Sequence, residues 1–166
     1  TGAEAAGVHV SGASERVLRQ LLDDCPEAIR QRMNKGADGH EVGPLQYALE
    51  LAVPASTVKL LFDCWPDAVK QKDGLDTLPL QVALQNYAKE EELLLMLLRA
   101  YPEAAKHKAP SAPDRDDDQP TALPLHLALV HNAPLAVATK LLEEYKDAAA
   151  EKMVIDSYGS MEQPLA

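Results

Sequence analysis

Cysteine is scarce in this 166-residue chain, which holds only Cys25 and Cys64. Two thiols at that separation make neither a disulfide scaffold nor a Cys-x-x-Cys site for zinc or thiol exchange, so both are expected to stay reduced in an intracellular, reducing compartment. Aromatic residues are equally few, at 4% with one Trp and one Phe, against a hydrophobic content of 46%. The core must therefore be built from Leu, Val and Ala, a composition that suits short, closely packed helices better than strands. Basic residues are outnumbered. The 16 Lys and Arg against 26 Asp and Glu leave a net charge of -10, which repels phosphate backbones and anionic lipid, so no nucleic acid partner is expected. Long apolar runs are missing too: Leu93 to Leu98 is among the longest, far short of the roughly 20 residues that span a bilayer, and no direct membrane insertion is expected. The first ten residues carry neither the basic nor the apolar region of a secretory signal, and no Asn-x-Ser/Thr acceptor occurs. The cytoplasm is the expected location, or a plastid if a transit peptide has been removed.

What the chain does have is internal repetition. The segment Gly43-Pro44-Leu45-Gln46-Tyr47-Ala48-Leu49 recurs as Leu78-Pro79-Leu80-Gln81-Val82-Ala83-Leu84 and as Leu123-Pro124-Leu125-His126-Leu127-Ala128-Leu129, and Pro164-Leu165 starts it again. A second motif follows each complete first one. It reads Leu61-Phe62-Asp63-Cys64-Trp65-Pro66-Asp67-Ala68, then Leu97-Leu98-Arg99-Ala100-Tyr101-Pro102-Glu103-Ala104, then Leu141-Leu142-Glu143-Glu144-Tyr145-Lys146-Asp147-Ala148. An earlier copy, Leu21-Leu22-Asp23-Asp24-Cys25-Pro26-Glu27-Ala28, stands without a first motif. From the first-motif Pro to the Pro or Lys of the second is 22, 23 and 22 residues, whereas successive first-motif prolines lie 35, 45 and 40 apart. The paired motifs form a fixed unit and the link between units varies.

Within the unit, Pro suits the first position of a helix, where its missing N–H costs nothing and its backbone angle is preset. Leu45, Ala48 and Leu49 then share one face at i, i+3 and i+4, as do Leu80, Ala83, Leu84 and Leu125, Ala128, Leu129. A second, antiparallel helix is expected to begin around residues 54–56, 88–90 and 134 and to end near the Leu-Leu pairs. Neither helix buries its apolar face alone, so neighbouring units must stack to make a core. The expected fold is all-α, a solenoid of stacked antiparallel helix pairs with extended connecting loops. It forms one domain over 1–166, with a half unit at about 13–43, complete units at about 44–78, 79–123 and 124–163, and the start of a further unit at 164–166. Leu18, Leu21, Leu45, Leu49, Leu61, Leu80, Leu84, Leu97, Leu125, Leu129 and Leu141 are the expected core. The restart at Pro164 carries a further expectation. The outer side of the third unit, including parts of Leu129 and Leu142, is to be covered in the functional state by a continuing chain or by a partner subunit.

Pro-Leu-His-Leu-Ala-Leu at 124–129, followed by a helix ending in Leu-Leu, together with the polar Asp73-Gly74 turn, resembles the ankyrin repeat and its Thr-Pro-Leu-His-x-Ala-Ala signature. The resemblance runs from about residue 13 to the end of the chain, close in spacing and loose in residues. Gly43, Leu78 and Leu123 replace the Thr, Gln46 and Gln81 replace the His, Leu replaces the second Ala, and aromatic-Pro-acid-Ala replaces the Gly-Ala after Leu-Leu. HEAT and tetratricopeptide arrays, with longer helices and no Pro-Leu-His start, match less well. The resemblance implies an ankyrin-like solenoid whose concave face of first helices and connecting fingers holds a protein partner.

No reaction centre is legible. Asp114, Asp116 and Asp118 occupy positions 1, 3 and 5 of a calcium loop, but Gln119 and Leu125 stand where Gly and Glu are required, so no metal is expected. Gly36, Gly39 and Gly43 read as turns of a connecting finger, because no Gly-Lys-Ser/Thr follows them. His126 is expected to bond backbone groups at its helix start, and no nucleophile stands beside a positioned base in a recognisable pattern. No cofactor is expected. Cys25, Trp65, Tyr101 and Tyr145 share one register and read as packing residues.

Two features point to binding. Tyr47, Val82 and Leu127 keep an apolar residue at one register of every first helix, either as a contact stripe or as additional core. Arg30/Arg32, Lys70/Lys72 and Lys106/Lys108 follow the aligned prolines by four and six residues, either as a cationic ladder for an acidic partner or as complements to helix dipoles. The expected function is a non-catalytic protein-interaction scaffold, not an enzyme, with Tyr47, Val82, Leu127, Lys70, Lys72, Lys106 and Lys108 as the partner-binding candidates. The alternative is a structural subunit held permanently in a large multiprotein complex.

Overall fold

The structure, a computed structural model, describes residues 16–17, 19–20, 23–24, 27–35, 40–110 and 121–150. From Pro44 on, six helices among the described residues form three consecutive pairs: α1 (Pro44–Glu50) with α2 (Ala55–Cys64), α3 (Pro79–Asn86) with α4 (Glu91–Ala100), and α5 (Pro124–Val130) with α6 (Leu135–Glu144). Each first helix starts at its motif proline. The preceding Gly43, Leu78 and Leu123 are extended, with ψ of 158°, 153° and 154°, as the residue before a proline prefers. The first helix of the outer two pairs ends on a left-handed residue, Ala52 at φ 51° and Asn132 at φ 52°. There the chain reverses, with Val53 N–H donating to Ala48 O and Ala133 N–H to Ala128 O.

Behind every second helix lies a short 3-10 turn that helical periodicity does not reveal: Pro66–Lys70, Pro102–Lys106 and Lys146–Ala149. Each is closed by an Ala N–H donating to the aromatic residue's carbonyl, from Ala68 to Trp65, Ala104 to Tyr101 and Ala148 to Tyr145, all at 3.1 Å. The links between units carry two small antiparallel hairpins. Strand β1 (Met33–Lys35) pairs with β2 (His40–Val42), and β3 (Ala109–Pro110) with β4 (Thr121–Ala122).

The pairs stack in sequence. Helix α1 packs on α3 and α3 on α5, while α4 packs on α6. One continuous hydrophobic cluster runs through all three pairs, with Leu49, Val58, Leu84, Leu93, Leu94, Leu98 and Val137 at its centre. The protein is thus mostly helical, and no helix among the described residues is long and apolar enough to cross a membrane.

Of the expected core, Leu45, Leu49, Leu61, Leu80, Leu84, Leu97, Leu125 and Leu141 are buried, while Leu18, Leu21 and the restart at 164–166 lie outside the described residues. Leu129 departs from expectation. It is 64% exposed, although Leu49 and Leu84 at the same motif position are fully buried. Those two are covered by the pair that follows them, and no described element covers the third pair on that side.

Candidate partner-binding surface

The third residue of each first helix is an amide or imidazole, and it organises the surface. Gln81 Oε1 accepts the Leu78 N–H at 2.8 Å, capping α3, while Gln81 Nε2 donates to His107 O at 2.9 Å in the link that follows. Gln46 Nε2 reaches the link after its own pair, donating to Asp73 Oδ2 at 2.9 Å and Thr77 O at 3.2 Å. His126 Nδ1 accepts the Leu123 N–H at 3.3 Å, as expected for a histidine bonding backbone at its helix start.

The links are tied to one another as well. Gly74 N–H donates to Glu41 O at 3.2 Å, and Arg32 Nη2 donates to both Glu41 O at 3.0 Å and Lys72 O at 2.6 Å. Asp73 Oδ1 receives Leu75 N–H and Thr77 N–H, folding the shorter middle link into a compact turn. His107 Nε2 stands 2.6 Å from Asp76 O; a carbonyl only accepts, so that ring nitrogen carries the proton. The described parts of the fingers and the first helices therefore form one hydrogen-bonded wall.

The expected contact stripe is divided by this packing. Tyr47 and Leu127 are half-buried, but Val82 is only 6% exposed and belongs to the core. The reason is its place in the middle pair, which has neighbours on both sides. Val82 is therefore corrected from a contact residue to a packing residue.

Arg30, Arg32, Lys70, Lys72 and Lys106 of the cationic ladder each have an acidic side chain within ion-pair distance. Lys70 pairs with Asp67 at 2.7 Å, Lys106 with Glu103 at 3.2 Å and Arg30 with Glu27 at 3.8 Å, each three residues apart within its own turn. Lys72 pairs with Asp76 at 2.7 Å. The hydrogen bond from Lys70 holds the Asp67 carboxyl below its ordinary range, and Asp67 in turn raises Lys70. Lys108 is exposed. An acid three residues before the first cation of each step, Arg30, Lys70 and Lys106, was present in the repeated Pro-acid-Ala-x-cation pattern, and it is the signal that reading cations alone misses. Most of the row of positive charge is thus made of solvated ion pairs, which contribute little individually.

On the second-helix side an open groove of about 480 Å³ is lined by Lys59, Phe62, Glu92, Met96, Arg99 and Ala100. Lys59 and Glu92 bridge the first and second pairs there, and the Lys59 hydrogen bond holds the Glu92 carboxyl low. Further ties between pairs come from Asn86 Nδ2 to Leu49 O at 3.0 Å, Tyr87 OH to Val53 O, and Lys89 Nζ to Asn132 O at 2.7 Å. Among the described residues no three His, Cys, Asp or Glu side chains converge as a metal site. No family model matches the sequence, and no curated protein or solved structure matches it.

Proposed function

We propose that the chain is an ankyrin-like solenoid and a non-catalytic scaffold that holds a partner protein against its first helices and fingers. The observation that carries this reading is the hydrogen-bonded wall. Arg32 joins Glu41 O to Lys72 O and Gln81 joins Leu78 N–H to His107 O, each across two units, while Gln46 ties its helix to the link that follows, so the described part of the surface is held in place before any partner arrives and binding costs little in freezing it. Tyr47 and Leu127 are the apolar contacts on this wall. The ion-paired Lys70, Lys72 and Lys106, with the exposed Lys108, supply polar contacts at its edge, whose contribution falls as salt rises. Fold alone does not name the partner's chemistry, so the reading stands on the surface and its rigidity.

The test is recovery of the protein with its partner from the source cell, followed by the double substitution Tyr47→Asp with Leu127→Asp. The partner should be lost while the helical circular dichroism is retained. An unchanged set of captured proteins overturns the reading, and so does loss of helicity, which would assign both side chains to the core.

One observation favours the second reading, a permanently incorporated structural subunit. Leu129, Val130, Leu135 and Leu142 are exposed together in the third pair, and apolar surface of that kind is usually covered in a stable assembly. A partner that survives washing in high salt supports this subunit role, and one that exchanges within minutes supports the reversible scaffold.

A further inference from the structure

We propose that the outer face of the third helix pair, formed by Leu129, Ala138 and Leu142, is a docking site for a further helix pair of this same repeat pattern. The inference goes beyond the scaffold reading. It rests on two interfaces inside the chain and holds whether or not the fingers bind a partner.

The same face occurs three times. In the first pair it presents Leu49 and Val58, both fully buried beneath the second pair, with Phe62 half-buried beside them. In the second pair the matching residues are Leu84, Leu94 and Leu98, all fully buried. In the third they are Leu129, at 64% exposure, the half-buried Ala138, and Leu142, at 38%. The positions that are largely buried between pairs twice are thus presented a third time with nothing described against them. Leu135 and Val130 are exposed for a different reason. They stand where the earlier pairs carry Ala55 or Glu91 and Glu50 or Gln85, so they form the rim.

The backbone is prepared as well. Ala52 at φ 51° and Asn132 at φ 52° give the first and third pairs the same turn, closed by the same bonds from Val53 to Ala48 and from Ala133 to Ala128. In the first pair that turn offers Leu49 O to Asn86 Nδ2 and Val53 O to Tyr87 OH of the next pair. In the third pair the matching carbonyls are those of Leu129 and Ala133. The occupant is therefore defined by its chemistry. It is a proline-led helix with apolar residues where Leu80, Ala83 and Leu84 stand, followed by an amide and a phenol or comparable donors.

The experiment inserts a second copy of residues 71–150 directly after Ala150 in the whole chain. The 3-10 turn Lys146–Ala149 aligns with Pro66–Lys70, so Gln71 follows in register. The extended chain should melt above the parent, because each added interface stabilises a stack. Leu129→Ala in the first copy should lower its melting temperature by about 5 °C or more, the effect expected of Leu84→Ala. The same change in the second copy, or in the unaltered chain, should shift melting by about 1 °C at most. Three results overturn the proposal: an extended chain that melts below the parent, a first-copy Leu129→Ala with no effect, or a Leu129→Ala in the unaltered chain as damaging as Leu84→Ala. Sedimentation supplies the remaining outcome. If the unaltered chain is a dimer that Leu129→Asp makes monomeric, the occupant is a second copy and the assignment fails, whereas a monomer in both forms supports it.

Discussion

Replacing Gln81 by Leu separates the two roles a polar side chain can have inside a helical stack. Gln81 is fully buried. Its Oε1 caps the Leu78 N–H and its Nε2 holds His107 O in the following link. Leucine is similar in volume and keeps the site filled, but it leaves both backbone groups without their partners. Leu78 is itself buried, so its N–H gains no water and costs about 2–3 kcal/mol when orphaned. His107 is half-buried, so its carbonyl recovers part of its solvation and costs about 1 kcal/mol. Added apolar burial offsets about 1 kcal/mol of this. The net loss is about 2–3 kcal/mol, which lowers melting by about 4–12 °C for a chain of this size. Gln81→His is the matched control, because His126 makes the equivalent cap through Nδ1 and its other ring nitrogen still donates. It should stay within about 1 kcal/mol of the parent. Thermal unfolding followed by far-UV circular dichroism reads both. The reasoning fails if Gln81→Leu melts with the parent, or if Gln81→His falls as far as Gln81→Leu.

Ala52 holds φ 51°, where an L side chain costs about 1–2 kcal/mol and Gly is unstrained. After the extra chain entropy that Gly loses on folding, Ala52→Gly should raise stability by about 0.5 kcal/mol. Ala52→Asn, which copies Asn132, should move the urea midpoint the same way at unchanged slope, and a lower midpoint in both variants refutes the strain. Burial, with a smaller effect from Glu90, pushes the Tyr87 phenol up to about 12 from 10.0. A raised folded pKa contributes stability that is complete below pH 10 and is lost as pH rises toward 12, because the unfolded chain ionises first. Tyr87→Phe should cost about 1 kcal/mol at neutral pH through loss of the Val53 bond and should flatten the decline above pH 10; an unaltered alkaline slope refutes it.

The helix pairs were legible because their causes are local. Pro at the first helical position, leucines at i and i+4, and the constant 22–23 residue interval act within one unit, and each places its helix without reference to a neighbour. The 3-10 turns were less legible. Three-residue closures leave no periodicity, and only the recurring Pro-acid-Ala-x-cation string marks them. The ion pairs inside those turns follow from the same string once acids are read together with cations.

The surface depended on distance in space. Gln46 meets Asp73 and Gln81 meets His107 across 27 and 26 residues, and the sequence interval between units, which varies from 35 to 45 residues between prolines, does not specify such partners. Val82, Tyr47 and Leu127 share one register, yet only Val82 is enclosed, because enclosure comes from the pairs on either side and not from the motif. Leu129 makes the same point most sharply. Sequence alone determined that it is a leucine on the apolar face of a proline-led helix, identical in register to Leu49 and Leu84. Only the tertiary structure decided that it meets solvent, since burial belongs to the interface between two units and, among the described residues, the third pair has one such interface where the second pair has two.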